Sequence, residues 1–223
     1  MDFYLEKDEK LEPLEINNCY IIQSKNLYRF SLDSVMLADF SKVKHSDKVL
    51  ELCSGSGVIS FLISLQFIPK EIVGMEICPK MFSMSQRTKI YNNLHNISFI
   101  NDDILNYSKY FKSQSFDVIV SNPPYYIMPQ DTSKIDNKNL TTKYEKCITM
   151  EQIFLVASKL LKNKGIFYVV YPSNRLQEVM SYASKFNLFC KKIKFANVNK
   201  KTNTLALLKF VKNGNLGVQE IEF

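Results

Sequence analysis

The chain of 223 residues has no tryptophan, only two histidines (His45 and His95), six glycines and seven prolines. Its five cysteines, Cys19, Cys53, Cys78, Cys147 and Cys190, are scattered and form no C-x-x-C pair. With so few histidines, that pattern supplies neither a zinc-ligand spacing nor a disulfide framework, and no metal is expected. No apolar run approaches the roughly 20 residues that a membrane-spanning helix needs. The opening residues, Met1-Asp2-Phe3-Tyr4-Leu5-Glu6-Lys7-Asp8, lack the apolar stretch of a secretory signal. A cytoplasmic protein without membrane contact is expected. Internal repeats and low-complexity linkers are also missing, so one domain over 1–223, working as a monomer, is the expectation.

What is present is material for a core, with 46% hydrophobic and 13% aromatic residues, which excludes a disordered chain. The net charge of +7 is unevenly spread: residues 1–15 carry a local balance of −4, and Lys159–Lys212 one of +11. A basic half attracts phosphate backbones, although lysines spread over any solvated surface give the same count.

Apolar strands alternate with helical segments from Ser31 onward. Ser31 opens a helix carrying Leu32, Val35, Met36 and Phe40. Asp47–Leu52 reads as a strand, Val58–Phe67 as a helix, Glu71–Glu76 as a strand, and Pro79 to about Leu94 as a helix. Ile97–Asn101 and Phe116–Ser121 follow as strands. Thr149-Met150-Glu151-Gln152 is a capping box for a helix to about Asn163. After it come the strand Ile166–Tyr171, a helix from Ser173 to about Lys185, and two strands, Leu188–Ala196 and Thr204–Val211, with no helix between them. The pattern predicts an α/β, Rossmann-like fold with a mostly parallel seven-stranded sheet, helices on both faces and a C-terminal antiparallel hairpin. In such sheets the ligand lies beyond the carboxyl ends of the strands, at a topological switch point.

Four groups of residues fall at those predicted strand ends. Glu51-Leu52-Cys53-Ser54-Gly55-Ser56-Gly57 joins a carboxylate to close-spaced glycines, Gly55 and Gly57, without the G-x-G-x-x-G dinucleotide spacing. An acid and a tight loop suit a zwitterionic nucleoside ligand, the acid facing an ammonium group. Glu76, 19 residues beyond Gly57, can accept from both hydroxyls of a ribose. Asp103 can accept from an adenine amino group, with the Ile104 amide facing a ring nitrogen; Asp102 serves as a turn cap. Asn122-Pro123-Pro124-Tyr125 offers an amide oxygen, a proline carbonyl and an aromatic face. If Asn122 and the Pro123 carbonyl accept the two protons of a planar NH2 group, its nitrogen can pyramidalise and become nucleophilic. Tyr125 would hold the ring by stacking, worth roughly 1–3 kcal/mol. Catalysis would then rest on positioning and oriented dipoles.

Glu51 to Gly57, Glu76, Asp103 and Asn122 to Tyr125 together resemble the class I S-adenosylmethionine-dependent methyltransferases that modify exocyclic amino or amide nitrogens. The resemblance covers about residues 29–211. Cys53 departs from it, standing where the family usually has its first glycine. Within that group the chain is most similar to the bacterial tRNA (adenine-37-N6)-methyltransferases acting on a valine tRNA. The carrying residues are Tyr28-Arg29-Phe30-Ser31-Leu32-Asp33-Ser34-Val35-Met36-Leu37-Ala38, Asn122 to Tyr125, and Arg175-Leu176.

The resemblance implies S-adenosyl-L-methionine as cofactor, tRNA as partner and Asp33 near the methionine end of the cofactor. It also makes Asn122 a residue at both cofactor and substrate. Residues 1–28 read as an N-terminal extension. Residues 126–147, with Tyr126, Lys134, Lys138, Lys143 and Lys146, read as a substrate loop that orders over RNA. Tyr125, Arg175, Lys192 and Lys194, with Lys191, Lys200 and Lys201, are further RNA candidates. Ribosomal RNA guanine and a release-factor glutamine are the alternative methyl acceptors. DNA adenine methylation lacks the added recognition region it needs, and a non-catalytic RNA-binding protein would have no use for the complete amine-gripping set.

Overall fold

The computed structural model describes residues 3–27, 29–125, 148–197 and 204–223. The chain begins with an antiparallel hairpin, β1 (Glu9–Pro13) and β2 (Tyr20–Ser24), inside the stretch read from sequence as an extension. Then come α1 (Leu32–Phe40), β3 (Lys48–Leu52), α2 (Val58–Phe67), β4 (Glu71–Glu76), α3 (Pro79–Tyr91), β5 (Ile97–Asn101), a 3-10 turn over Ile104–Lys109, and β6 (Phe116–Ser121). The second half adds α4 (Met150–Leu160), β7 (Leu161–Pro172), α5 (Leu176–Lys185), β8 (Leu188–Asn197), β9 (Thr204–Lys212) and β10 (Glu220–Glu222).

The main sheet has the order β10-β8-β9-β7-β6-β3-β4-β5. Strands β7, β6, β3, β4 and β5 run parallel, while β9 runs antiparallel to both β7 and β8. This is the expected α/β architecture with its C-terminal hairpin. It carries one strand more than the seven predicted, because the three residues of β10 pair parallel with Lys192–Lys194. So short a strand leaves no period-two signature to read.

Period-two alternation explains why both faces are covered. Val49 and Val118 belong to one apolar cluster, with Leu37, Phe61 and Leu62 of α1 and α2. Their neighbours Leu50 and Ile119 belong to the other, with Phe154, Ala157 and Val179 of α4 and α5. The chain builds outward from β3 to β4 and β5, then returns to place β6 on the other side of β3. That reversal is the switch point, and the Ser121 hydroxyl donates to the Leu52 carbonyl across it at 2.9 Å.

Helix α4 has the predicted capping box, Thr149 and Gln152 each bonding the other's backbone N–H, but it ends at Leu160 rather than about Asn163. From Leu161 the chain is already paired with Phe116, and the ladder resumes at Ile166 after an irregularity at Lys164-Gly165.

The N-terminal hairpin packs on α3. Thr88 accepts from the Ile22 N–H at 3.0 Å, and Asn92 bonds both the N–H and the carbonyl of Tyr20. A fully buried Arg87–Glu9 pair, bonded through both guanidinium ends at 2.6 and 2.7 Å, fastens the same contact. Among the described residues no helix is long and apolar enough to cross a membrane.

Candidate active site

The turn after β3 is built for close approach. Cys53, Gly55 and Gly57 all lie at positive φ (58°, 55° and 85°). Cys53 therefore adopts the left-handed backbone that a glycine would take at no steric cost, at an expense of about 1–2 kcal/mol for a residue with a Cβ. At Gly57 a Cβ would sit 2.7 Å from the Phe99 ring, so the loop and β5 approach as closely as a bare backbone allows.

This loop, the carboxyl ends of β4 and β6 and the turn after β5 surround a cleft of about 840 Å³ including its open mouth. Glu51, Gly55, Glu76, Asp103, Ile104 and Asn122 all line it, so six of the expected residues, distant in sequence, meet in one place. Gly57, beside them in the loop, serves the packing against Phe99. Phe30 and Ser34 close one side.

The two acids are deeply buried, at 1% and 6% exposure. Oε2 of Glu51 accepts from the Ser60 N–H at 3.0 Å and from the Ser60 hydroxyl. Burial pushes its carboxyl up to about 8, against the pull of the Ser60 bonds, and the neighbouring Glu76 charge adds to the rise. Glu76 accepts from the Gly55 N–H (2.7 Å) and the Cys78 N–H (2.8 Å), one on each oxygen. Its carboxyl is also raised, burial outweighing those backbone bonds. Asp103 caps the 3-10 turn through the Leu105 N–H at 2.9 Å. Asp102 points to Asn106, Tyr110 and Lys109, which hold its carboxyl far below the usual range, as suits a turn cap.

Asn122 leaves β6 with its Nδ2 donating to the Ser34 hydroxyl at 2.9 Å. Pro123 and Pro124 are buried, Pro124 against the cleft. The Tyr125 hydroxyl donates to Asp33 Oδ2 at 2.7 Å, and its carbonyl accepts from Arg175 at 2.7 Å.

Two of the expected residues also have partners within the chain. Asp33, 4% exposed, holds Tyr125 and does not itself line the cleft where the cofactor was expected to bring it. Arg175, expected at RNA, is buried at 9% and spends its guanidinium on Tyr125 and Glu178. Lys192 is also less available than expected: Glu220 bonds it at 2.9 Å and Glu222 closer still, while Lys194 lies 3.7 Å from Glu222. Tyr28, Tyr126, Lys134, Lys138, Lys143, Lys146, Lys200 and Lys201 lie outside the described residues.

Gln23 escaped the sequence reading. Fully buried in β2, it donates to the Ser56 hydroxyl at 2.8 Å and accepts from the Phe30 N–H at 3.0 Å. It thereby ties the N-terminal hairpin to the glycine loop. The only hint of it was a polar residue closing the short apolar run Tyr20-Ile21-Ile22.

A parallel sheet with a glycine turn, two strand-end acids and a cleft at the switch point defines a Rossmann-like domain for a nucleoside-bearing ligand. The chain belongs to the methyltransferase domain family, whose model matches residues 43–214.

It is similar to a tRNA1(Val) (adenine(37)-N6)-methyltransferase of Bacteroides thetaiotaomicron, 26% identical over 70% of this chain. The matched stretch spans 65% of that relative, just under two thirds. A protein of the same name from a Flavobacteriaceae bacterium is 21% identical over 94% of this chain and 88% of its own. Among solved structures, M. jannaschii TYW2 in complex with AdoMet superposes with a TM-score of 0.62 at 14% identity, covering 94% of this chain and 87% of its own. P. horikoshii TYW2 in complex with MeSAdo gives 0.64 at 14% identity, covering 95% and 74%. At such identities these two structures speak for the fold.

Proposed function

We propose that this protein methylates the exocyclic N6 of adenine in tRNA, at adenine-37 of a valine tRNA, using S-adenosyl-L-methionine. The observation that carries the reading is the meeting, in one cleft, of a nucleoside-suited acid pair with Asn122 and Pro124 of the Asn-Pro-Pro-Tyr segment. The names of the relatives point the same way.

The cleft fits the cofactor on its own chemistry. Among the described residues the Ser54 hydroxyl, buried in the lining, has no hydrogen-bond partner. Glu51 would face the ammonium group. Each oxygen of Glu76 keeps a lone pair for a ribose hydroxyl beyond its backbone bond. Asp103 would take the adenine amine between the apolar Ile77 and Ile104. When bound, the cofactor supplies an electrophilic methyl on a sulfonium.

What remains falls to this chain. The Asn122 amide oxygen and the Pro123 carbonyl accept the two N6 protons, so the nitrogen lone pair turns out of conjugation and toward the methyl carbon. With the cofactor held by Glu51, Glu76 and Asp103, its methyl would pass from sulfur to that lone pair, and the extra proton would leave the nitrogen for water. Adenine in an unpaired anticodon loop reaches the cleft without being extruded from a duplex.

Methyl transfer from labelled cofactor, offered in parallel to total tRNA, ribosomal RNA and a release factor, tests the reading. N6-methyladenosine in tRNA is expected. Label appearing as N2-methylguanosine in ribosomal RNA, or on the release factor, overturns it.

A further inference from the structure

The first turn of α1 stands directly against the Asn-Pro-Pro-Tyr segment. Two consecutive residues there take hold of its two chemically active side chains: Ser34 bonds the Asn122 carboxamide at 2.9 Å and Asp33 bonds the Tyr125 hydroxyl at 2.7 Å. Both are buried, at 7% and 4% exposure, so water is a poor substitute partner. They reach across 88 and 92 residues of sequence, which rules out a local turn effect.

The Asn122 end of this contact has a chemical polarity. A carboxamide is nearly symmetric in shape, yet one end accepts hydrogen bonds and the other donates them. An amine to be methylated presents protons, so only the oxygen end serves it; a flipped amide would set NH2 against NH2. With Nδ2 bonded to Ser34, Oδ1 is the end left for the ligand.

We propose that Ser34 is a positioning residue for methyl transfer: by accepting from Asn122 Nδ2, it presents Oδ1 to the amine. Asp33 plays the companion part at Tyr125. Ser34 does not handle the methyl group, and its effect passes through Asn122. The proposal rests on the function proposed above, in that the ligand at Asn122 is an amine.

A double-mutant cycle tests it. Ser34→Ala should lower kcat by about 10- to 100-fold, the scale of a displaced reacting group, with KM for S-adenosyl-L-methionine little changed. Ser34→Thr, which keeps the hydroxyl, should recover most of the rate. In an Asn122→Ala background, Ser34→Ala should add nothing, since its only route is gone. Losses that simply multiply in the double variant would overturn the proposal.

A second measurement needs neither substrate nor turnover. In ¹⁵N–¹H spectra the Asn122 side-chain NH2 pair, identified by its loss in Asn122→Ala, should shift in Ser34→Ala and return near its place in Ser34→Thr. An unmoved pair overturns the proposal whatever the enzyme's substrate. Absence of methyl transfer to any tRNA by the unaltered protein, with that shift present, counts instead against the proposed function.

Discussion

Two carboxyl groups sit under the cofactor cleft, and their burial sets opposing demands. Glu51 holds its proton to about pH 8 in the folded chain, against an ordinary value of 4.5. Between those limits the folded state binds a proton that the unfolded state has released, so stability falls as pH rises through the window and is greatest below it. The ligand-free protein should therefore lose melting temperature from about pH 5 to about pH 8.5, and Glu51→Gln should flatten that slope. The same substitution removes the partner of an ammonium group and should weaken cofactor affinity, as calorimetry would show. A slope that persists in Glu51→Gln would assign the loss elsewhere, Glu76 being the other acid that burial raises. Asn122→Ala poses the complementary question. It should keep cofactor affinity, since the acids and the glycine loop are untouched, and lose most of the rate. Turnover close to that of the parent protein would exclude the amide as the acceptor of the N6 proton.

At the scale of elements, the hairpin β1–β2 is part of the site. Gln23 spans from it to Ser56 of the glycine loop and to the backbone of Phe30. Gln23→Ala leaves the buried Ser56 hydroxyl without this partner, at about 1–3 kcal/mol, and frees the part-buried Phe30 N–H. The expected result is a several-fold rise in KM for the cofactor with kcat largely kept; an unchanged KM would detach the hairpin from the cleft.

This hairpin was illegible in the sequence because its justification is tertiary. Its polar ends are met by Thr88 and Asn92, about 70 residues away. The seven longer strands and the helices α2, α3 and α4 were legible, since buried parallel strands write themselves as apolar runs and α4 carries its own capping box. Glu51, Glu76, Asp103 and Asn122 were legible for a related reason: strand ends in such a sheet converge. What could not be read was which side chains are consumed internally. Asp33 and Arg175 look like ligand contacts in sequence, and only the tertiary structure shows that each, from the first turn of α1 and the cap of α5, also bonds Tyr125.

Over the whole molecule, the basic half is less bare than its composition suggests. β10 returns Glu220 and Glu222 to Lys192 and Lys194, so the sheet edge carries paired charge. Lys192→Gln alone should then barely change the salt dependence of RNA binding, because a paired lysine releases few counterions. Replacing Glu220 and Glu222 together by Gln should unmask both lysines and steepen the dependence of affinity on salt. An unaltered slope after that double change would place the RNA away from this edge, on the lysines of 134–146 or 200–201.

The docking of β1–β2 on α3 also fixes an order of assembly. The hairpin is made before α3 during synthesis, yet Ile22 meets Thr88 only after 66 further residues have been added. An isolated two-stranded hairpin is marginal in water. The glycine loop thus acquires its Gln23 brace late, once α3 has folded onto β4 and β5. A nascent chain stalled before α3 would hold every residue of the loop from Glu51 to Gly57 and still lack a finished cleft.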